Sequence, residues 1–485
     1  MDSEHGFICV LARALLTFGS PSHRIEPQLD SVAAVFGLSA QFSHTPGCVQ
    51  ISLGSANAKG SETILIKASA GLDLGRIHAT HEIYRGVVRD EIYAADGERA
   101  LWDLLKMPPV YTVKFVYFLT WVMGSLLCGI SFGGSIFDMA LAGPFAVFVM
   151  FFQRMASRTE LSSSGSDIVS AGIVSFASRA IASRAPNHSF CYQAISSSAV
   201  AGLLPGSLIL SGVLDIASRN LTLGAPKITA GLLTSLYLGF GLTLGSDIWL
   251  RIDSAARLQL SQGAGMVNFL HGRITPSNHT TPLPSFIGNL TGTYTFTSIS
   301  SSAATITAHE IKGCYRDRSS PWYLQPLPWY TLIFMLPIYN FCSSMKRGQK
   351  WKTVPMVVMV MISCVSSGLT RYVNIKLGLG GHPDYVSLIG SFVVSALGNL
   401  YSRKIGGTAF TIMLTGILLL IPTGLAEAGG LSNSYTGPGE DEYTNSLELA
   451  RKMISVIIGV MSGVYLSARI IYSFGKKKNS ALVTF

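Results

Sequence analysis

The sequence predicts a polytopic α-helical membrane protein: about ten transmembrane helices as two inverted five-helix repeats, preceded by a small cytosolic α+β domain. Three observations predict it. Charged residues make up only 13% of the 485, and mean hydropathy is +0.41; soluble domains carry about 25% charge. The deficit begins at Thr112, whereas residues 1–106 have ordinary globular composition. From Thr112 onward, apolar stretches recur near the roughly 20 residues that a spanning helix needs.

The predicted cytosolic domain covers residues 1–108. Ile8, Leu11, Leu15 and Phe18 sit at helical spacing, and Gly19 stops that helix. Ser20-Pro21 opens a second helix, with Ser20 as cap and Pro21 in the first turn. Its stripe is Ile25, Leu29, Val32 and Phe36, and Gly37 ends it. Strand-like pieces come next at Gln41–His44, Val49–Leu53 and Thr63–Lys67, with Pro46-Gly47 as a hairpin turn. A helix runs from Leu74 to Ile92, and Asp96 caps a shorter one that ends before Pro108-Pro109. The polar, acidic start Met1–Gly6 has no cleavable-signal pattern, so insertion is expected to rely on internal spans.

The expected spans fall in two groups. The first repeat, 109–249, holds spans at 112–132, 135–152, 167–184, 190–212 and 226–247. The second, 327–474, holds spans at 328–345, 353–370, 385–401, 407–425 and 449–472. Residues 250–326 form an extracytosolic Ser/Thr-rich loop, and 475–485 a basic cytosolic tail.

Loop charge orients this arrangement. With both termini cytosolic, the inner loops hold Arg154, Arg158, Arg219, Lys227, Lys346, Arg347, Lys350, Lys352, Arg403 and Lys404. The outer side holds Glu427, Glu440, Asp441, Glu442 and the glycosylation sequons at Asn278 and Asn289. A third sequon, Asn220, falls inside and is expected to stay unmodified. The net charge of +10 then reflects inner loops. No basic run interleaved with aromatics points to nucleic acid. Cys9 and Cys48 are expected to be reduced, Cys128, Cys342 and Cys364 to be small core residues, and Cys191 with Cys314 could form an outer disulfide. Which membrane holds the chain, plasma membrane or vacuole and endomembrane, is open.

Positions recur between the groups. Ser166-Asp167-Ile168-Val169-Ser170 opens the third span and Pro383-Asp384-Tyr385-Val386-Ser387 the eighth. Asp167 and Asp384 are 217 residues apart (384 − 167), as are Pro205 and Pro422 (422 − 205). Ser183-Arg184 and Ser402-Arg403 close the same two spans. Five spans per repeat is odd, so the second enters the membrane inverted, an arrangement that recurs in secondary transporters. Pro205 and Pro422 would interrupt matching helices and free backbone groups near the middle of the fold; each could equally kink a packed helix.

The run His5-Gly6-Phe7, Leu11-Ala12-Arg13-Ala14-Leu15-Leu16 and Phe18 to Glu26 resembles the start of the threonine/serine exporter family. The third-span opening, Leu204-Pro205-Gly206, Gly380 to Asp384 and Gly398 to Arg403 are similar to it too. Its fungal pheromone-regulated membrane protein branch is the nearest likeness. The resemblance implies proton-coupled export of threonine, serine or similar small metabolites, and the long 250–326 loop departs from it.

Ionisable residues in spans are costly and carry a functional hypothesis. Asp167 and Asp384 are candidate proton carriers, or else helix caps at the membrane surface. Asp138 has the same two readings. Arg179 could hold a substrate carboxylate, pair with an aspartate, or snorkel outward. Asp215, Asp247 and Glu427 read as solvated span ends, and Asn399 as an interhelical hydrogen bonder. Ser22, His23, Arg24 and Glu26 could bind an anion or cap a helix. His78, His81 and Glu82 cluster on one helix at a spacing that could seat a metal, but no further ligand completes a site, so no metal is expected, and no cofactor. No catalytic motif marks an enzyme. The expected function is a secondary transporter in a lipid bilayer, moving a small-molecule substrate and protons, with homo-oligomers open. Asp167 and Asp384 would couple protons, Arg179 would hold anionic groups, Asn399 would assist, and Pro205-Gly206 with Pro422 would shape the path. The rival is a non-transporting membrane scaffold or signalling protein.

Overall fold

The computed structural model describes residues 3–54, 61–68, 71–158, 163–185, 189–258, 310–311, 314–315, 321–377, 382–405, 407–427, 431 and 442–473. Asn278, Asn289 and the basic tail lie outside the described residues, as does most of the 250–326 segment.

The N-terminal segment matches its expected pattern closely. Helix α1 (Ser3–Thr17) buries Ile8, Leu11 and Leu15. Gly19, at φ +77°, closes it, with the Ser20 N–H reaching back to the Leu15 carbonyl at 2.9 Å. Ser20 is therefore part of the α1 stop and does not cap α2 (Ser22–Val35), which starts after Pro21. Strands β1 (Ser39–Thr45), β2 (Cys48–Gly54) and β3 (Ser61–Lys67) form one antiparallel sheet in that order. Thr45 pairs with Cys48 across Pro46-Gly47, and Gly47 takes φ +77°, as a type II turn requires at that position. Val49, Ile51 and Leu53 face the helices, the alternation of a half-buried strand. Helix α3 (Leu74–Val88) is capped by Asp73. In α4 (Ala94–Lys106), Asp96 sits inside the first turn and the cap position is Tyr93.

Then come α5 (Val113–Ile130), α6 (Ile136–Ala156), α7 (Ser163–Arg184), α8 (Tyr192–Val200), α9 (Gly206–Ala217) and α10 (Leu221–Ile252). The second set is α11 (Leu332–Lys346), α12 (Val354–Leu377), α13 (Pro383–Ile405), α14 (Ala409–Glu427) and α15 (Glu442–Ser473). Each of the ten expected spans coincides with helix. Among the described residues, seven helices are long and apolar enough to cross a membrane, and α8 with α9 make an eighth, bent by 54°. This is a polytopic helical membrane protein. Helices α7 and α11 fall short. Helix α11 has 15 residues. Helix α7 is serine-rich and holds Asp167 and Arg179, but Ser166, Ser170, Ser175 and Ser178 are buried against neighbours rather than turned to lipid.

The same neighbours recur in both sets. Helix α7 packs along α10, as α13 does along α15; α6 meets the α8–α9 unit, as α12 meets α14. Glycines allow the closest contacts. A Cβ on Gly241 or Gly245 of α10 would strike the backbone carbonyls of Ile168 or Gly172 in α7. A Cβ on Gly459 or Gly463 of α15 would strike those of Asp384 or Leu388 in α13. Small residues spaced by four let membrane helices approach this closely.

Candidate functional site

The site begins where the fourth expected span breaks. The residue before a proline disfavours the helical region. Leu204 accordingly turns to φ −58°, ψ 129°, after the single turn Ala201–Leu203. Pro205 comes next at φ −78°, ψ 47°, and α9 starts anew at Gly206. Gly206 lets the restarted helix touch α14: a Cβ there would lie 2.7 Å from Leu418 Cδ2 and 3.0 Å from Ile421 Cδ1.

A cavity of about 110 Å³ opens beside this break. By the same measure a single water needs roughly 10–15 Å³, so several waters or one small metabolite fit. Five elements supply its wall: Thr120 and Gly124 from α5, Met150 and Gln153 from α6, Ser198, Gly202, Leu204 and Gly206 around the break, Tyr339 and Lys346 from α11, and Leu418 and Pro422 from α14. Arg347, just past α11, completes one end, and no carboxylate lines the cavity among the described residues. Gln153 reaches out of the wall: its Nε2 donates to Asp167 Oδ1 at 3.1 Å. Asp167 therefore sits one side chain behind the cavity.

The other expected site residues separate into two groups. Gly206 and Pro422 line the cavity and Pro205 makes the break. Arg179, Asp384 and Asn399 do not line it. Arg179 is buried, donates from Nε to Ser246 Oγ at 2.9 Å, and lies over the Tyr192 ring at 3.5 Å, a structural cation–π contact. Asp384 starts α13, and its backbone carbonyl faces Gly459. Asn399 donates to Ser395 Oγ at 3.4 Å within its own helix. Asp138 completes a capping box with Ser135 and also accepts from the Cys191 N–H at 2.8 Å, tying α6 to the start of α8. Cys191 is disulfide-bonded, and the side chain of Cys314 lies outside the described residues. Cys9, Cys48, Cys128, Cys342 and Cys364 are free thiols. No metal cluster occurs among the described residues.

One expectation is overturned by geometry. Asp215 is not a solvated span end: it is fully buried under the N-terminal segment. Its Oδ1 accepts from the His23 N–H at 3.0 Å and meets His23 Nδ1 at 3.3 Å; its Oδ2 accepts from Lys227 Nζ at 2.7 Å. Lys227 also donates to Ser22 Oγ at 2.5 Å. Glu26 accepts from the His44 N–H at 2.6 Å. Burial pushes the His23 imidazole below its usual value, against the pull of Asp215, and pushes His44 down to about 4. The polar start of α2 thus docks the N-terminal segment onto the end of the broken span. A second dock joins the cavity itself: the Leu74 N–H donates to the Arg347 carbonyl at 2.8 Å, and Tyr111 donates to the Gln349 carbonyl at 2.9 Å.

Sequence reading missed Lys346 and Arg347 as site residues, because both come after an apolar run and read as loop charges. It missed Gln153 because an uncharged residue beside Arg154 carries no signal of its own.

Residues 6–249, half of the chain, match the family described as "Putative threonine/serine exporter". Among curated relatives, Pheromone-regulated membrane protein 10 of Debaryomyces hansenii is 28% identical over 97% of this chain and 42% of its own length. The protein of that name in Candida albicans is 30% identical over 97% of this chain and 38% of its own. In Eremothecium gossypii the values are 27%, 98% and 57%. The chain thus spans about two fifths to somewhat over half of these relatives. No solved structure matches.

Proposed function

Because the chain belongs to the threonine/serine exporter family, we propose that it is a proton-coupled secondary transporter of small polar metabolites, threonine, serine or related acids. The observation that carries this reading is the broken helix. Leu204, Gly206 and Pro422 face one cavity, and interrupted helices are where transporters of this class place substrate. The break takes backbone out of the helical pattern that the other expected spans keep, which is tolerated where it lines a cavity.

The matching neighbours of the two helix sets support two five-helix repeats, and the paired glycines support it residue by residue. With five helices each, the repeats stand inverted, and rocking one against the other would expose the cavity to alternate sides. Loop charge supports a cytosolic N-terminal segment. Asp167 is the favoured proton carrier, since Gln153 links it to the cavity. Asp384, outside the cavity, supports its helix start instead.

The test is flux of labelled threonine and serine in proteoliposomes with and without a pH gradient. Asp167→Asn is expected to abolish the gradient-driven part, while Asp384→Asn keeps most of it. Equal flux in parent and Asp167→Asn would discard the proton role. No flux of any small polar solute would leave the scaffold reading.

A further inference from the structure

Three positive elements converge on the cavity, and no carboxylate among the described residues lines it. Lys346, the last residue of α11, lines it, and among the described residues it makes no hydrogen bond or ion pair. Arg347 beside it uses one guanidinium nitrogen on the Ser343 carbonyl at 2.7 Å. Among the described residues, the charged neighbour that acts on Lys346 is Arg347, a like charge, and no carboxylate acts on either. The third element is the start of α9. The start of a helix carries partial positive charge, and α9 restarts at Gly206 on the cavity wall, with the Gly206 N–H itself donating to the Leu204 carbonyl at 2.8 Å. A lysine held largely out of bulk water beside another cation is costly unless an anion joins it.

We propose that the cavity is a carboxylate-binding site. Lys346 anchors the anion, and the N-terminus of α9 and Arg347 complete its surroundings. This rests on the transporter reading for its purpose but not for its test. It moves the carboxylate role from Arg179, which Ser246 and Tyr192 occupy, to Lys346. The polar wall also explains selection. Ser198 and Thr120 spend their hydroxyls on carbonyls of their own helices, Ala194 and Val116, so charge is left to the basic end. An uncharged ligand gains nothing from that basic end.

The experiment is thermal melting of the full chain in detergent with matched probes: propionate against propionamide, and L-threonine against L-threoninol. Anionic phosphatidylserine is compared with phosphatidylcholine in parallel. The carboxylates are expected to raise Tm and their neutral counterparts to leave it unchanged. Lys346→Gln is expected to weaken carboxylate binding by roughly ten-fold or more, the value of one hydrogen bond to a charged group. Lys346→Arg, which keeps the charge, retains binding and separates lost charge from lost fold. Equal responses to propionate and propionamide, an unchanged response in Lys346→Gln, or no response to any carboxylate would overturn the proposal. A Lys346-dependent response to phosphatidylserine alone would overturn it in favour of a lipid headgroup. Proteoliposome flux distinguishes the two readings. Flux that ignores the carboxylate removes this site and leaves the transporter; carboxylate binding without flux does the reverse.

Discussion

Pro205 and Pro422 lie 217 residues apart (422 − 205), the same offset as Asp167 and Asp384, yet one breaks its helix and the other does not. At Pro205 the chain leaves the helix altogether, turning 54° between α8 and α9. At Pro422, α14 runs unbroken from Ala409 to Glu427. The difference lies in the residue after each proline and in its packing. Gly206 comes after Pro205; glycine is a poor helix former, and it lets α9 press on α14. Thr423 comes after Pro422 and returns its hydroxyl to the Leu419 carbonyl at 2.9 Å, partly satisfying the turn that the missing N–H disturbs. Almost the whole of α14 is enclosed by other helices, which hold it straight. A proline therefore marks a place where a helix can open, and its neighbours decide whether it does.

The sharpest test concerns what the two sets share. Gly245→Leu and Gly463→Leu would each drive a side chain into a rigid backbone carbonyl, so each is expected to cost at least about 1–3 kcal/mol. Both should lower Tm by similar amounts; a large loss at one and none at the other would break the likeness between α7–α10 and α13–α15. The prolines come next and should differ in sign. Pro422→Ala restores a helix N–H and is expected to stabilise by about 1–3 kcal/mol, a fraction of the roughly 3 kcal/mol that an interior proline costs. Pro205→Ala gains no such bond and frees the unfolded chain, so a loss of about 0.4–1 kcal/mol is expected. Chemical denaturation of both variants measures this, and equal signs would mean that α14 is strained no more than the break.

The smallest effect is one of pH, at the foot of the broken span, where Asp215 holds the N-terminal segment. The folded values of His23 and His44 lie below the ordinary 6.5, so below that pH the unfolded chain takes up protons that the docked segment refuses. Their contribution is complete above 6.5 and is lost as pH falls toward about 4. A shallow fall in Tm over that window is expected, and His44→Gln should flatten it. A Tm that rose on acidification would contradict the burial of both imidazoles.

Much of the local structure was legible in the chain. Gly19, Gly37 and Pro46-Gly47 set helix ends and a hairpin by backbone preference alone, and each acts where expected. The apolar intervals coincide with helices because burying or lipid-facing a backbone at that depth requires helix. The cap of α4 is not legible, since Asp96 and Tyr93 are separated by less than one turn and no side chain caps the helix at Tyr93. At the candidate site, the prolines and Gly206 announced themselves through backbone chemistry. Arg179 misled, because a charge in an apolar run signals cost without saying which neighbour offsets it.

By itself, then, the sequence determined that this chain is a many-helix membrane protein with helices and an antiparallel sheet before it, because period, length and turn chemistry are local properties, and its motifs carried the resemblance to the threonine/serine exporter family. Tertiary structure alone decided that Gln153 links Asp167 to a cavity, that Asp215 is buried between His23 and Lys227, and that Lys346 and Arg347 close the cavity's basic end. Each of these depends on residues 12 to 192 positions apart, or on five helices meeting. A side chain's charge is written in the sequence, but the partners that set its energy are supplied only by packing.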